Sequence, residues 1–356
     1  MSTFTRRRVF LAGALSPLLA SCANDLVALR ERPVDELAQA LNVCAVAYTV
    51  LRGGVPAPSV ALSGCGAASG AQGGIFQAAS LTKPVVAYAA LQLALAGRLD
   101  LDAPVSLHLP AGYRHFHHAL ARGPADAHDV VPASVLSRMT VGQLLHHTAG
   151  LPNWSNGALL LQSPPGERWS YSGEGFAILQ AVLEAVTQTE LSAHLDAQVF
   201  RPLGMADSSL VWRDALAARA VSGTTALGSA RQLRFSHAVA AASLYTTAAD
   251  YARFMAALLA NPEMLARVLA RPVEVDRALG LLWGAGWGVE QTPEGPFLWQ
   301  WGNNPGFRAF AMASVARKDG FVLLTNSDRG MPLAASLART VLPTAEHHAF
   351  RFSWVG

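Results

Sequence analysis

The sequence predicts a mixed α/β (α+β) fold in which distant parts of the chain close one sheet. Three features predict it: strand-like runs near the N-terminus, strand-like runs near the C-terminus, and a long helix-rich middle between them. With 356 residues, 51% of them hydrophobic and 14% charged, the chain can bury a large core.

The first 22 residues read as an address. Arg6, Arg7 and Arg8 precede the apolar run Val9–Ala20, which is too short for a stable membrane span. Leu19-Ala20-Ser21-Cys22 resembles a bacterial lipoprotein processing site, at which Cys22 would be acylated and become the new N-terminus. Arg7-Arg8-Val9-Phe10-Leu11 resembles a twin-arginine export signal. A plain cleaved signal, with Cys22 incidental, is the alternative. The expectation is an exported lipoprotein facing the periplasm, held to a membrane through Cys22, with residues 23–33 as a tether. Beyond this segment no apolar run is long enough to cross a bilayer; Val85–Ala96 is short and interrupted by Tyr88 and Gln92. Without Arg6–Arg8 the chain carries 24 basic and 24 acidic residues, and no basic run remains to hold nucleic acid.

A helix is expected from Val34 to Leu41. Val43–Leu51 and Ser59–Gly64 then flank Arg52-Gly53-Gly54-Val55-Pro56, a hairpin pattern that brings Cys44 and Cys65 close. In an oxidising compartment they form a disulfide; otherwise they are two buried thiols. From Ser80 to Ala96, Val85, Val86, Ala89, Leu93 and Ala96 repeat at helical spacing; Pro84 is tolerated in the first turn and Gly97 stops the helix. A second helix, from about Glu174 to Gln188, buries Phe176, Leu179, Leu183 and Val186. Strands are expected at Phe297–Trp301, Ala309–Val315 and Phe321–Thr325. Residues 34–102 and 237–350 thus form the sheet region, and 103–236 a helical region with few convincing strands.

Ser80 and Lys83 lie three residues apart at a helix start, on one face. A serine hydroxyl needs a base to become a nucleophile, and a desolvated lysine amine can serve. The backbone N–H of Ser80 is a candidate oxyanion donor. Composition sharpens this weak motif. Of 27 basic residues, only Lys83 and Lys318 are lysines. Arginine meets the need for charge everywhere else, but a guanidinium cannot act as a base near neutral pH. Lys83 is therefore a candidate base.

Two further motifs are weak alone. Tyr171-Ser172-Gly173 precedes the second helix, where a tyrosine hydroxyl can relay a proton. Gln300-Trp301-Gly302-Asn303 lies between strand signals, and Gly302 would let a substrate backbone approach a strand edge. In this order the three resemble the motifs of serine β-lactamases and penicillin-binding enzymes. More narrowly, residues 40–340 resemble the class C β-lactamase, D-alanyl-D-alanine carboxypeptidase and family VIII esterase group. Leu99-Asp100-Leu101-Asp102-Ala103-Pro104-Val105, Leu144-Leu145-His146-His147-Thr148-Ala149-Gly150-Leu151-Pro152 and Phe321–Asn326 also match its pattern. The resemblance implies an antiparallel sheet flanked by helices, with an inserted all-helical region, as in the β-lactamase/transpeptidase fold. It implies that Ser80 forms an acyl-enzyme, that Lys83 and Tyr171 share the proton traffic, and that the backbone N–H groups of Ser80 and Asn303 hold the oxyanion. It implies no metal and no organic cofactor.

The chain departs from this group twice. Gly173 stands where an Asn usually contacts the substrate amide, and Gln300 where a Lys or His usually begins the third motif. A lost charge-assisted hydrogen bond to a substrate carboxylate is worth roughly 1.5–3 kcal/mol, roughly ten- to hundredfold in affinity. Arg308 is a candidate replacement, or is simply solvated. The expected activity is ester or peptide-like amide hydrolysis of a small-molecule or peptide substrate. The competing readings are an inactive scaffold that binds peptidoglycan fragments and a true β-lactamase. His147 is expected to cap a loop. His115, His117 and His118 are expected on an exposed loop that binds no metal, there being no evident carboxylate or distant ligand. No G-x-S-x-G occurs, against an α/β-hydrolase.

Overall fold

The computed structural model describes residues 32–66, 71–118, 123 and 125–342. The address segment, Cys22 and all but the last two tether residues lie outside the described residues. After α1 (Val34–Ala40) come β1 (Val46–Arg52), β2 (Val55–Pro56), β3 (Val60–Leu62), β4 (Phe76–Ala79) and α2 (Thr82–Leu95). The middle holds α3 (Val105–His108), β5 (Tyr113–Phe116), β6 (His128–Val131), α4 (Ala133–Leu136), α5 (Val141–Leu145), α6 (Gly173–Thr187) and α7 (Leu191–Leu195). Short strands β7 (Gly223–Thr224), β8 (Ala230–Arg231) and β9 (Leu244–Thr246) lead to α8 (Ala248–Ala260) and α9 (Pro262–Leu269). The chain returns through β10 (Val273–Asp276), β11 (Leu281–Trp283), β12 (Gly288–Thr292), β13 (Gly295–Asn304), β14 (Phe307–Ser314) and β15 (Gly320–Thr325) to α10 (Pro332–Val341).

Nine antiparallel strands form the main sheet, in the order β10-β11-β12-β13-β14-β15-β1-β2, with β3 also on β1. The two ends of the chain meet where β1 pairs β15, from Val46↔Thr325 to Leu51↔Gly320. Every residue of β15 is buried, because both faces of the sheet are covered. On one face Val34, Leu37, Leu333 and Leu337 pack on Phe321 and Leu323. On the other, Val322 and Leu324 belong to the same core as Val86 and Tyr251. The result is an antiparallel sheet flanked by helices, as the sequence predicts.

Local details differ from expectation. The predicted hairpin is interrupted by β2, so β1 carries both β2 and β3 along one edge. Cys44 and Cys65 form a disulfide with a Cα–Cα distance of 4.9 Å, which resolves the two alternatives left open by the sequence. This bridge closes a loop with a sequence separation of 21. Replacing both cysteines by Ala is expected to lower stability by roughly 2–4 kcal/mol, read from chemical denaturation; an unchanged midpoint would contradict it. The strands β4 and β9 to β12, and the hairpins β5–β6 and β7–β8 in the middle region, did not stand out in the sequence. Most run two to four residues, too short to show a period of two.

The histidine-rich run is one of these. His115 does not lie on an exposed loop, whereas His117 lies just past β5 in the connecting loop and is half-buried. Tyr113–Phe116 pairs antiparallel with His128–Val131, so Tyr113 and His115 face inward while Arg114 is exposed. His115 is 1% exposed, and only His118 of the three stands out in solvent.

Candidate active site

The site begins where β4 ends. Ala79 is left-handed (φ 50°), a conformation costly for a residue with a side chain, and the chain turns sharply there. Ser80 emerges partly exposed while Ala78, Ala79, Leu81 and Thr82 are fully buried. Thr82 holds this turn: its hydroxyl donates to the Ala79 carbonyl at 2.5 Å and accepts from the Leu244 N–H at 2.9 Å. The helix starts at Thr82 rather than at Ser80, so the serine sits in the turn before it.

Lys83, in the first turn of α2, is 1% exposed. Its Nζ lies 3.1 Å from Ser80 Oγ and donates to the Ala241 carbonyl at 2.9 Å. It sits 4.7 Å from the centre of the Tyr171 ring and 5.7 Å from that of Phe176. Burial lowers its pKa to about 7. In the neutral form the amine keeps an N–H for Ala241 and turns its lone pair to the Ser80 hydroxyl. The Ala241 carbonyl is aimed by Gln180 of α6, which accepts from the Ala240 N–H at 3.0 Å and donates to the Ala238 carbonyl at 3.1 Å.

Tyr171 closes the cluster. Its hydroxyl accepts from Gln300 Nε2 at 3.0 Å and is hydrogen-bonded to the Ser80 side chain. Burial pushes its pKa far above the usual tyrosine range, so it remains a phenol. Ser172 caps α6 by accepting from the Gly175 N–H at 2.8 Å. His147 caps the loop that leads into α6, its carbonyl accepting from the Ser170 N–H at 2.8 Å. It lies beneath the tyrosine, ring centres 4.4 Å apart, and its Nδ1 accepts from the Ser172 N–H at 3.1 Å. Burial, and secondarily the charge of Lys83, holds it well below the usual histidine range, so it stays neutral.

Gln300 is fully buried, and its Nε2 bridges the Tyr171 hydroxyl to the Ser80 carbonyl, the latter at 3.2 Å. Gly302 is required by the fold itself: a Cβ there would lie 2.3 Å from the Ala78 carbonyl, so β4, not a substrate, takes the space. Asn303 is exposed on the stretch of β13 beyond its last pair with β12, Gly288↔Trp299. At Gly173 a side chain would strike the Asn153 carbonyl at 2.7 Å and the Trp154 ring at 2.9 Å. The Asn153 side chain accepts from the Gly173 N–H at 3.0 Å, filling the place. Arg308 is neither a free cation nor solvated; it donates to Asp328 at 2.7 Å and to the carbonyls of Asn304 and Phe307. Ser80, Lys83, Tyr171 and Gln300 thus form one hydrogen-bonded group, while Gly173 and Arg308 are engaged elsewhere. Sequence reasoning missed Ala241 and Gln180, which act through backbone carbonyl placement and leave no motif.

Comparison with known proteins places this geometry in context. The Beta-lactamase family model matches residues 44–346. Esterase EstB of Burkholderia gladioli is 28% identical over 321 residues, covering 71% of this chain and 77% of that protein. Among solved structures, the D-alanine carboxypeptidase AmpC of Burkholderia cenocepacia superposes with a TM-score of 0.70 at 17% identity, covering 89% of this chain and 99% of that one. A D-stereospecific amidohydrolase from Streptomyces superposes with a TM-score of 0.64 at 19% identity, covering 85% and 94%. At these identities the structures share the fold.

Proposed function

The chain belongs to the beta-lactamase family of serine hydrolases, and from that premise we propose that it is an exported esterase working through an acyl-enzyme on Ser80. The observation that carries this reading is the buried amine of Lys83 at 3.1 Å from Ser80 Oγ, with a pKa near 7. Lys83 takes the Ser80 proton as Oγ attacks the carbonyl carbon. The backbone N–H groups of Ser80 and Asn303 receive the oxyanion. The proton then passes through Lys83 and Tyr171 to the leaving alcohol, and the same pair activates the water that releases the acid.

The choice of ester over β-lactam rests on charge. β-Lactams and D-alanyl peptides present a carboxylate. Here Gln300 is neutral, Arg308 is neutralised by Asp328, and Lys83 is buried behind the serine. A neutral acyl ester needs none of these cations. The 28% identity to Esterase EstB of Burkholderia gladioli supports the same choice. Export is supported by Arg6–Arg8 and the apolar run after them, and a membrane anchor by Cys22.

The test uses a short-chain p-nitrophenyl ester, nitrocefin and a fluorophosphonate probe. Ester turnover with little or no nitrocefin turnover, and probe labelling of wild type but not Ser80→Ala, is expected. Nitrocefin turnover matching the ester would make it a true β-lactamase, and absence of labelling would make it a binding scaffold.

A further inference from the structure

The geometry points to a divalent transition-metal site of the zinc type at His115, His117 and Asp129, at the loop end of the β5–β6 pair and remote in role from the Ser80 chemistry. Cross-strand pairing sets Asp129 directly opposite His115. His115 Nδ1 lies 2.9 Å from Asp129 Oδ1, and His117 Nε2 lies 3.5 Å from the same oxygen. One donor atom from each of the three residues fits within 4.8 Å of the others. Atoms bound tetrahedrally at about 2.0–2.1 Å from zinc sit about 3.3–3.4 Å apart. The two separations to Asp129 bracket that value, and rotation of the imidazoles brings the two nitrogens, within 4.8 Å of each other, onto one ion. Two imidazoles and a carboxylate are also the donor types that zinc accepts.

Two observations favour a metal over a simple ion pair. The His117 Nε2 atom is buried without a hydrogen-bond partner among the described residues, although the residue as a whole is about a third exposed. The second is the flanking of His115, itself 1% exposed, by two carboxylates. Asp129 faces Nδ1, and Glu174 Oε2 stands 3.4 Å from Nε2, close but too poorly aligned for a hydrogen bond. The other Glu174 oxygen already accepts from the Ser155 N–H at 2.9 Å, which holds that carboxylate in place. A neutral imidazole can donate to only one of these two groups. A metal on Nδ1 puts the imidazole proton on Nε2, toward Glu174, and a rotation of the ring onto the metal completes the carboxylate–histidine–metal arrangement that orients a ligand. The metal also balances the charge of the buried Glu174 and of the partly exposed Asp129.

The placement gives the site a role. Glu174 is in the first turn of α6, three residues beyond Tyr171. A metal at the hairpin fastens β5 and β6 to the helix start that carries the Tyr171-Ser172-Gly173 turn. The ion is thus a structural clamp. Side chains of His117 and Asp129, each 32% exposed, leave a fourth position open to solvent.

The test is titration of the metal-stripped full chain with Co²⁺, whose tetrahedral complexes absorb in the visible, followed by competition with Zn²⁺. One saturable equivalent, displaced by Zn²⁺, is expected. His117→Ala and Asp129→Ala abolish the band, and Glu174→Gln weakens binding by about 10–100-fold. Because His115 is a core residue, the partly exposed His117 and Asp129 carry the test, with circular dichroism to verify folding. Zn²⁺ also raises the thermal midpoint of the wild type and of neither variant. A wild-type chain with no band, His115 being merely ion-paired, overturns the proposal; so does a band undiminished in His117→Ala and Asp129→Ala.

Discussion

Lys83→Ala lowers the rate of Ser80 acylation by about 10³–10⁴-fold, the upper part of what a positioned base contributes. The amine is the only basic group recorded within hydrogen-bond reach of Ser80 Oγ among the described residues. Lys83→Arg does not rescue, because a guanidinium holds its proton across the working range. Lys83→Met, which keeps the bulk of the buried stem, falls as far as Lys83→Ala if the loss is one of chemistry and not of packing. The wild-type pH profile carries the same signature. Burial depresses the lysine pKa to about 7, so the active, neutral amine gains ground as pH rises through that value. kcat/KM for a neutral ester therefore climbs with pH and levels off above about 7. A profile flat from pH 5 to 9, or substantial activity in Lys83→Arg, would remove the lysine from the role of base. Single-turnover ester cleavage with mass detection of the acyl-enzyme separates these outcomes.

Tyr171→Phe lowers turnover by roughly 10²–10³-fold, as loss of a proton-relaying group does. The tyrosine hydroxyl is the junction between Ser80 and Gln300. Its removal interrupts the relay and leaves the buried Gln300 amide short of a partner, at a cost of about 1–3 kcal/mol. Since Tyr171 also serves the deacylating water in the proposed scheme, the variant accumulates acyl-enzyme that the wild type clears. Burial raises the tyrosine pKa, so the phenol is the working form throughout the neutral range and contributes no inflection there. Mass spectrometry of the variant after brief exposure to ester reads this directly. A Tyr171→Phe enzyme that turns over normally would assign the hydroxyl a structural task, and one that loses acylation alone would remove it from deacylation.

Much of the site was legible in the sequence because it depends on local chemistry. Ser80 and Lys83 share one helix start whatever surrounds them, and the scarcity of lysine singled out Lys83. The long strands β13 to β15 and the helices α2 and α6 were legible for a similar reason. Their apolar residues repeat over enough positions for the period to show. Short strands carry no such record. Tyr113–Phe116 reads as a polar loop until Asp129 and its neighbours pair with it, fourteen positions away.

By itself the sequence singled out Ser80 and Lys83 as candidate nucleophile and base, set them at one helix start, and assembled a sheet from the two ends of the chain. Only the tertiary structure decided what surrounds them: that Gly302 makes room for the Ala78 carbonyl, that Gly173 lies beneath Trp154, that Arg308 is spent on Asp328, and that His115 is enclosed by carboxylates from two other elements. The physical reason is the range of the interactions. Capping, helical periodicity and the spacing of a serine and a lysine act over three or four residues and are written along the chain. Desolvation, ion pairing and close packing depend on which distant segments meet, and the Lys83 amine has its pKa lowered to about 7 only because those segments exclude water from it.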